Sequence, residues 1–332
     1  MPREPRFAGF PRQGAVTTLW FLVTVAGLAL LCCAVVEVGP AWLSGVGAVI
    51  VATSYAAALA LRSGGRPVIY GLVALVIGVA AVWSDRDVLR NGAAVLTAIV
   101  AAVFAVTATV PAVRFAGAVR EVLVAVVLAG GGALAVVGLE PQVALGRFEY
   151  TTLAGALVLA LVIIYRLGAG LHGLGRRGLV IVAVGGLVLA GTLAYAEALR
   201  RYGSPDFVTT IDEAVVWTRD NLGAVPRPLQ ALLGIPALAW GCHMRARRRQ
   251  GWWVCAFGVA ATASVASGLM HPKVSLLEAA LTVLYSVGLG LVIGYLVIRI
   301  DLALTAPRGA GGRRAEEATA LRPEPRRTSA LL

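Results

Sequence analysis

The sequence predicts an all-α fold, a polytopic transmembrane bundle of ten spans with N-terminus and C-terminus both cytoplasmic, and three observations carry that expectation. Hydrophobic residues make up 59% of the 332-residue chain and charged residues only 14%, against roughly 25% charged in soluble domains, so there is more apolar surface than a water-soluble core can hide. The apolar residues fall in runs of membrane length, since about 20 residues rising 1.5 Å each cross about 30 Å of hydrocarbon. The basic residues between the runs are abundant in alternate segments, as loops retained in the cytoplasm are.

The spans are expected at 16–37, 40–61, 67–83, 91–111, 119–139, 151–167, 178–199, 229–244, 251–270 and 274–300. The first resembles a secretion signal, with basic residues ahead of an apolar run that holds Cys32 and Cys33. The run is too long for an ordinary signal core and further spans follow it, while Leu31 before Cys32 is not the small residue that lipoprotein processing needs, so 16–37 is read as a retained helix. The fifth span carries Gly130, Gly131 and Gly132 at its middle, and the seventh pairs Gly186 with Ala190. The eighth is the shortest; it follows Pro226 and Pro228 and contains Pro236, where a kink is expected. Without it the arginine-rich tail would fall on the wrong side, so the charge pattern requires that it cross. The tenth carries Gly290 and Gly294, a GxxxG face that permits close helix packing. A short segment, 1–15, precedes the 16–300 bundle; the tail, 301–332, rich in Arg, Glu, Pro and Gly, is expected to be disordered.

With the N-terminus inside, 21 of the 29 basic residues lie in the inner segments and 8 in the outer ones, which also hold 11 of the 17 acids. Inner segments therefore carry net +15 and outer segments net −3. The overall +12 is a topology signal: the arginines are spread over six segments instead of forming one groove-reading surface, which argues against a nucleic-acid partner. Their expected partner is the lipid bilayer, through anionic headgroups at the cytoplasmic face. Trp20, Trp240, Trp252 and Trp253 fall at inner span ends and Trp42 and Trp83 at outer ones, as amphipathic rings at a membrane boundary do. Twenty-eight arginines against one lysine, with abundant Ala, Val and Gly, suggest a GC-rich bacterial genome and hence the plasma (inner) membrane.

Candidate functional residues are few. Cys242, His243 and Cys255 match no standard zinc spacing, so neither a metal nor a cofactor is expected. Ionisable residues inside spans mark transport routes; the reading finds Glu37, Glu197, Glu278 and Arg299, all close to span ends. The one sizeable outer loop, 200–228, contains an amphipathic helix opened by a Thr210–Glu213 capping box and stopped at Gly223. Either it caps the bundle, or it is a lid or docking surface. In the second case Arg200 and Arg201 meet an anionic group while Asp212, Glu213, Trp217 and Arg219 meet a partner or polar substrate. No nucleophile, base or metal set is present, so no catalytic residue is assigned and an enzyme is the least favoured reading. The expected function is a permease or flippase-like transporter of an amphipathic or lipid-like solute, with a polar cavity at mid-depth. The alternative is a non-catalytic scaffold or regulatory membrane subunit of cell-envelope machinery, with an envelope protein as partner.

Overall fold

The structure is a computed structural model that describes residues 10–84, 86–167, 171–202, 205–248, 250–272, 274–305 and 323–331. It is all-helical, with no strand among these residues. The helices are α1 (Phe10–Val35), α2 (Trp42–Arg62), α3 (Pro67–Trp83), α4 (Asp87–Thr107), α5 (Phe115–Gly138), α6 (Leu145–Arg166), α7 (Leu171–Tyr202), α8 (Pro205–Leu222), α9 (Ile235–Arg245), α10 (Gly251–Ala256), α11 (Val259–Leu269) and α12 (Leu276–Thr305). A helix satisfies its backbone polar groups within itself, which hydrocarbon demands. Among the described residues eight helical stretches are long and apolar enough to cross a membrane; α3 is shorter, and α10 and α11 count together as Gly251–Leu269.

The packing inverts that of a soluble bundle. On α4 the buried positions are mostly small, including Ala93, Ala94, Ala98, Ala101 and Ala102, while Leu96 is half-exposed. Val68, Leu72 and Val76 on α3 and Leu284, Val292 and Leu296 on α12 also face outward. Small residues let helix backbones approach where lipid tails are as apolar as leucine, and the large side chains are left for the surroundings. These are the features of a multi-pass membrane protein.

Contacts define two ends. The Trp20 indole N–H donates to the Ser54 carbonyl at 2.9 Å, and a methyl added at Gly27 or Gly47 would meet Ile50 or Leu31, so α1 and α2 run antiparallel. The ends of α2, α4 and α9 meet the start of α5 where Arg62, Thr107, Thr109, Glu121 and Arg245 share hydrogen bonds; this is the basic end. At the other, acidic end Ser44 hydrogen-bonds Glu140, Asn91 and Gln142 exchange two hydrogen bonds, and Arg219 pairs with Glu278. The Phe115 and Tyr295 rings, 5.1 Å apart, place the last turns of α12 at the basic end.

The glycines of the fifth and tenth expected spans act in packing. A Cβ on Gly132 would lie 2.1 Å from that of Ala101, and one on Gly131 2.6 Å from the Tyr55 hydroxyl, whereas Gly130 faces open space. Gly290 and Gly294 lie against Ile235 and Ala239 of α9, where an added Cβ would come within 2.6 and 3.2 Å. Where a kink is expected at Pro236, a π-helical turn, Gln230–Gly234, lies just ahead of it and accommodates the missing proline N–H and the ring's bulk. Gly234 there touches the Ala261 backbone so closely that any side chain would collide.

Four expectations differ from the structure. The helix of the 200–228 loop begins at Pro205, a residue suited to a first helical turn because it has no N–H to satisfy, so Thr210 and Glu213 lie inside α8 and form no capping box. Its stop is as expected: Gly223 takes φ +78 and its N–H bonds the Arg219 carbonyl. The 251–270 span is interrupted at Phe257 and Gly258 between α10 and α11. Trp252 and Trp253, expected in a boundary belt, are buried, each 6% exposed. The tail expected to be disordered contributes residues 301–305 to α12 and seats 323–331 against the basic end; 306–322 lie outside the described residues.

Candidate functional site

At the acidic end α12 stands away from the packed pair α5 and α11, leaving a cavity of about 710 Å³ that α8 walls on a further side. Its deep part is apolar, unlike the polar mid-depth cavity expected from the sequence, and is formed by Val126, Gly130 and Leu134 of α5, Val265 of α11, and Ala279 and Val283 of α12. Along α5 the lining runs from Val126 to Leu134, about 12 Å of helix. Because Gly130 has no side chain, its stretch of helix surface adds width instead of bulk.

The rim is polar. Arg227 stands in a Pro226-Arg227-Pro228 segment whose two prolines limit the backbone. Its N–H donates to the Ser286 hydroxyl at 2.9 Å, and its Nη1 donates to the Ser264 carbonyl and the Ser267 hydroxyl, both at 2.8 Å. The Glu149 carboxylate is 3.7 Å from the same nitrogen. Across the mouth Arg219 pairs with Glu278 at 2.5 Å, and His271 and Thr282 complete the polar lining. A guanidinium held on serine oxygens beside an apolar shaft can receive an anionic or hydrogen-bonding headgroup while the shaft receives a chain.

The basic end is built differently. Arg62 and Arg245 are almost wholly buried, and so is Glu121. The Arg245 guanidinium lies 3.5 Å over the Trp252 ring, donates to the Thr109 hydroxyl and carbonyl at 2.8 and 3.1 Å, and makes a two-pronged pair with Glu324 of the tail. Arg62 donates to the carbonyls of Thr107, Arg326 and Ser329. Glu121 accepts the Val110 N–H at 2.9 Å and pairs with Arg120 and Arg327. Cys242 and Cys255 are buried nearby, with the Cys255 sulfur 3.9 Å from Arg245 Nη1. A second cavity of about 400 Å³, mostly apolar, lies among α2, α3, α4 and α6, with Ser63, Tyr70 and Arg166 in its lining.

Of the residues singled out in the sequence, Arg219 and Glu278 meet at the cavity mouth. Trp217, Asp212 and Glu213 lie on exposed faces of α8. Arg201 pairs with Glu197 one turn earlier on α7, away from the mouth, and the side chain of Arg200 lies outside what the structure describes. Glu37 sits in the α1–α2 turn, exposed, with φ +56, where it joins neither site. Sequence reasoning missed Arg227, whose signal was its place between two prolines. It also counted Arg62 and Arg245 only among the basic residues of the inner segments and did not single out Glu121, because burial by neighbouring helices has no local signature.

The chain matches no protein-family model, no curated protein and no solved structure.

Proposed function

We propose that the protein is a ten-span permease or flippase-like carrier of the plasma membrane that takes an amphipathic, lipid-like solute into the cavity at the acidic end. One observation carries the reading: a cavity of about 710 Å³ whose deep part is apolar and whose polar lining includes Arg227, Arg219 and Glu278. Such a site suits a molecule with an acyl or similar chain and a polar head, and gives little to a wholly polar solute. The ten crossings comprise the eight long stretches, α3, and the π turn with α9. The last two are about 25 Å long or slightly less, so the bilayer would thin or the helix ends snorkel around them. The arginine bias places the basic end, with both chain termini, in the cytoplasm, and the cavity then opens outward.

Reconstitution with a short-chain fluorescent phospholipid tests this. Transbilayer exchange should exceed that of protein-free vesicles, and Gly130→Trp, which fills the shaft from a position facing open space, should return it to the protein-free rate. Wild-type protein that moves no lipid and retains none in native mass spectrometry would overturn the reading.

A scaffold function rests on one different observation. Val216 and Trp217 of α8 are 55% and 63% exposed, beside exposed charges, as in a helix that docks on an envelope protein. Co-purification of a stoichiometric partner that Trp217→Ala removes would favour it.

A further inference from the structure

At the basic end two buried guanidinium groups face a segment of the chain's own tail. The Arg245 side chain, with no exposed surface, donates from Nε to Glu324 Oε1 at 3.3 Å and from Nη2 to Oε2 at 2.5 Å. Arg62 is 2% exposed, and its Nη1 donates to the carbonyl oxygens of Arg326 and Ser329, both at 2.8 Å. The two arginines share the Thr109 carbonyl, at 3.4 and 3.1 Å. Apart from the tail, their partners are the uncharged Thr107 and Thr109 carbonyls, the Thr109 hydroxyl, the Cys255 sulfur and the Trp252 ring, so the pocket that the two buried cations form favours an anion. Glu324 supplies it.

The tail holds this position by a handful of polar bonds and by Leu331, whose N–H donates to the Arg62 carbonyl and whose side chain rests on the core. Withdrawing 323–331 would leave Arg62 and Arg245 with freed donors converging on one space, walled by Thr109 and Trp252. Paired guanidinium forks match the oxygens of a phosphate better than they match one carboxylate.

We propose that Arg62 and Arg245 form a phosphate-binding site and that Glu324 is its built-in competitor, so that the tail and a phosphate group exclude one another. The site lies at the opposite end from the solute cavity, shares no residue with it and stands independently of the carrier reading. The phosphate could be free or carried on a lipid headgroup, and the experiment separates the two.

Full-length protein in neutral phosphatidylcholine nanodiscs is digested briefly with trypsin, and cleavage at Arg326 and Arg327 is followed by intact mass. Inorganic phosphate should speed that cleavage at least fivefold over chloride of equal ionic strength, and Glu324→Gln should reach the stimulated rate without phosphate. The same variant should bind inorganic phosphate about tenfold more tightly than wild type in calorimetry. Stimulation by phosphatidylglycerol nanodiscs with no response to inorganic phosphate would assign the site to a lipid headgroup; a response to inorganic phosphate in neutral discs would assign it to a free one. Cleavage unmoved by either form in wild type, together with no phosphate binding by Glu324→Gln, would overturn the proposal whatever the variant does to the tail.

Discussion

At the acidic end α12 stands away from α5 and α11 around a cavity and the charges sit on its rim, partly in water; at the basic end α2, α4, α5 and α9 close on one another and their charges are drawn inside, each met by backbone carbonyls or an opposite charge. The chemistry is the same, arginine against glutamate, but the surroundings set what each pair contributes. Arg219 and Glu278 keep 46% and 20% of their side-chain surface exposed, so solvent screens them. Glu121 keeps none, so its partners are the only substitute for the water it lost. An open end with loosely held charges suits a site that must exchange its occupant. A closed end with fixed charges suits a latch.

The largest effect should come from the closed end. Glu121→Ala strands the Val110 N–H and leaves the partly buried Arg327 without its carboxylate, and should lower stability by about 3 kcal/mol, seen as a fall in the thermal unfolding midpoint in detergent and as faster tail proteolysis. At the open end Arg227→Ala removes hydrogen bonds to two serines and should cost about 1.5–3 kcal/mol while weakening retention of lipid. The glycines of α5 sharpen the contrast. Gly132→Val collides with Ala101 and should cost about 1–3 kcal/mol by overpacking. Gly130→Val, two residues away but facing the cavity, should leave the unfolding midpoint unchanged and reduce lipid binding. Among the charge substitutions the smallest effect is expected of Glu278→Ala at the mouth, which should shift stability by under about 1 kcal/mol. If it proved as damaging as Glu121→Ala, the distinction between the two ends would fail.

Much of the fold was legible before the structure, because membrane-length apolar runs are read without knowing their neighbours. Every expected span is occupied by helix, and the stop at Gly223 fell where glycine chemistry puts it. Less of the site was legible, since its determinants lie far apart in the chain. Arg245 meets Glu324 at a separation of 79 residues and Arg62 meets Ser329 at 267. The tail's composition signals solvation, and nothing local records the two buried arginines that hold it. The glycine run at 130–132 marked close packing correctly for two of its members, but which one opens onto a cavity depends on where α11 and α12 stand.

The most direct test of the account is the reactivity of a single cysteine at position 130, in protein whose Cys32, Cys33, Cys242 and Cys255 are replaced by serine or alanine. A small, charged, membrane-impermeant thiosulfonate added to the outside of intact cells should modify Gly130→Cys within minutes, and a lysophospholipid should protect it. Absence of labelling from outside, or labelling only from the cytoplasmic side of inverted vesicles, would contradict a cavity that opens at the acidic end to receive an amphipathic solute.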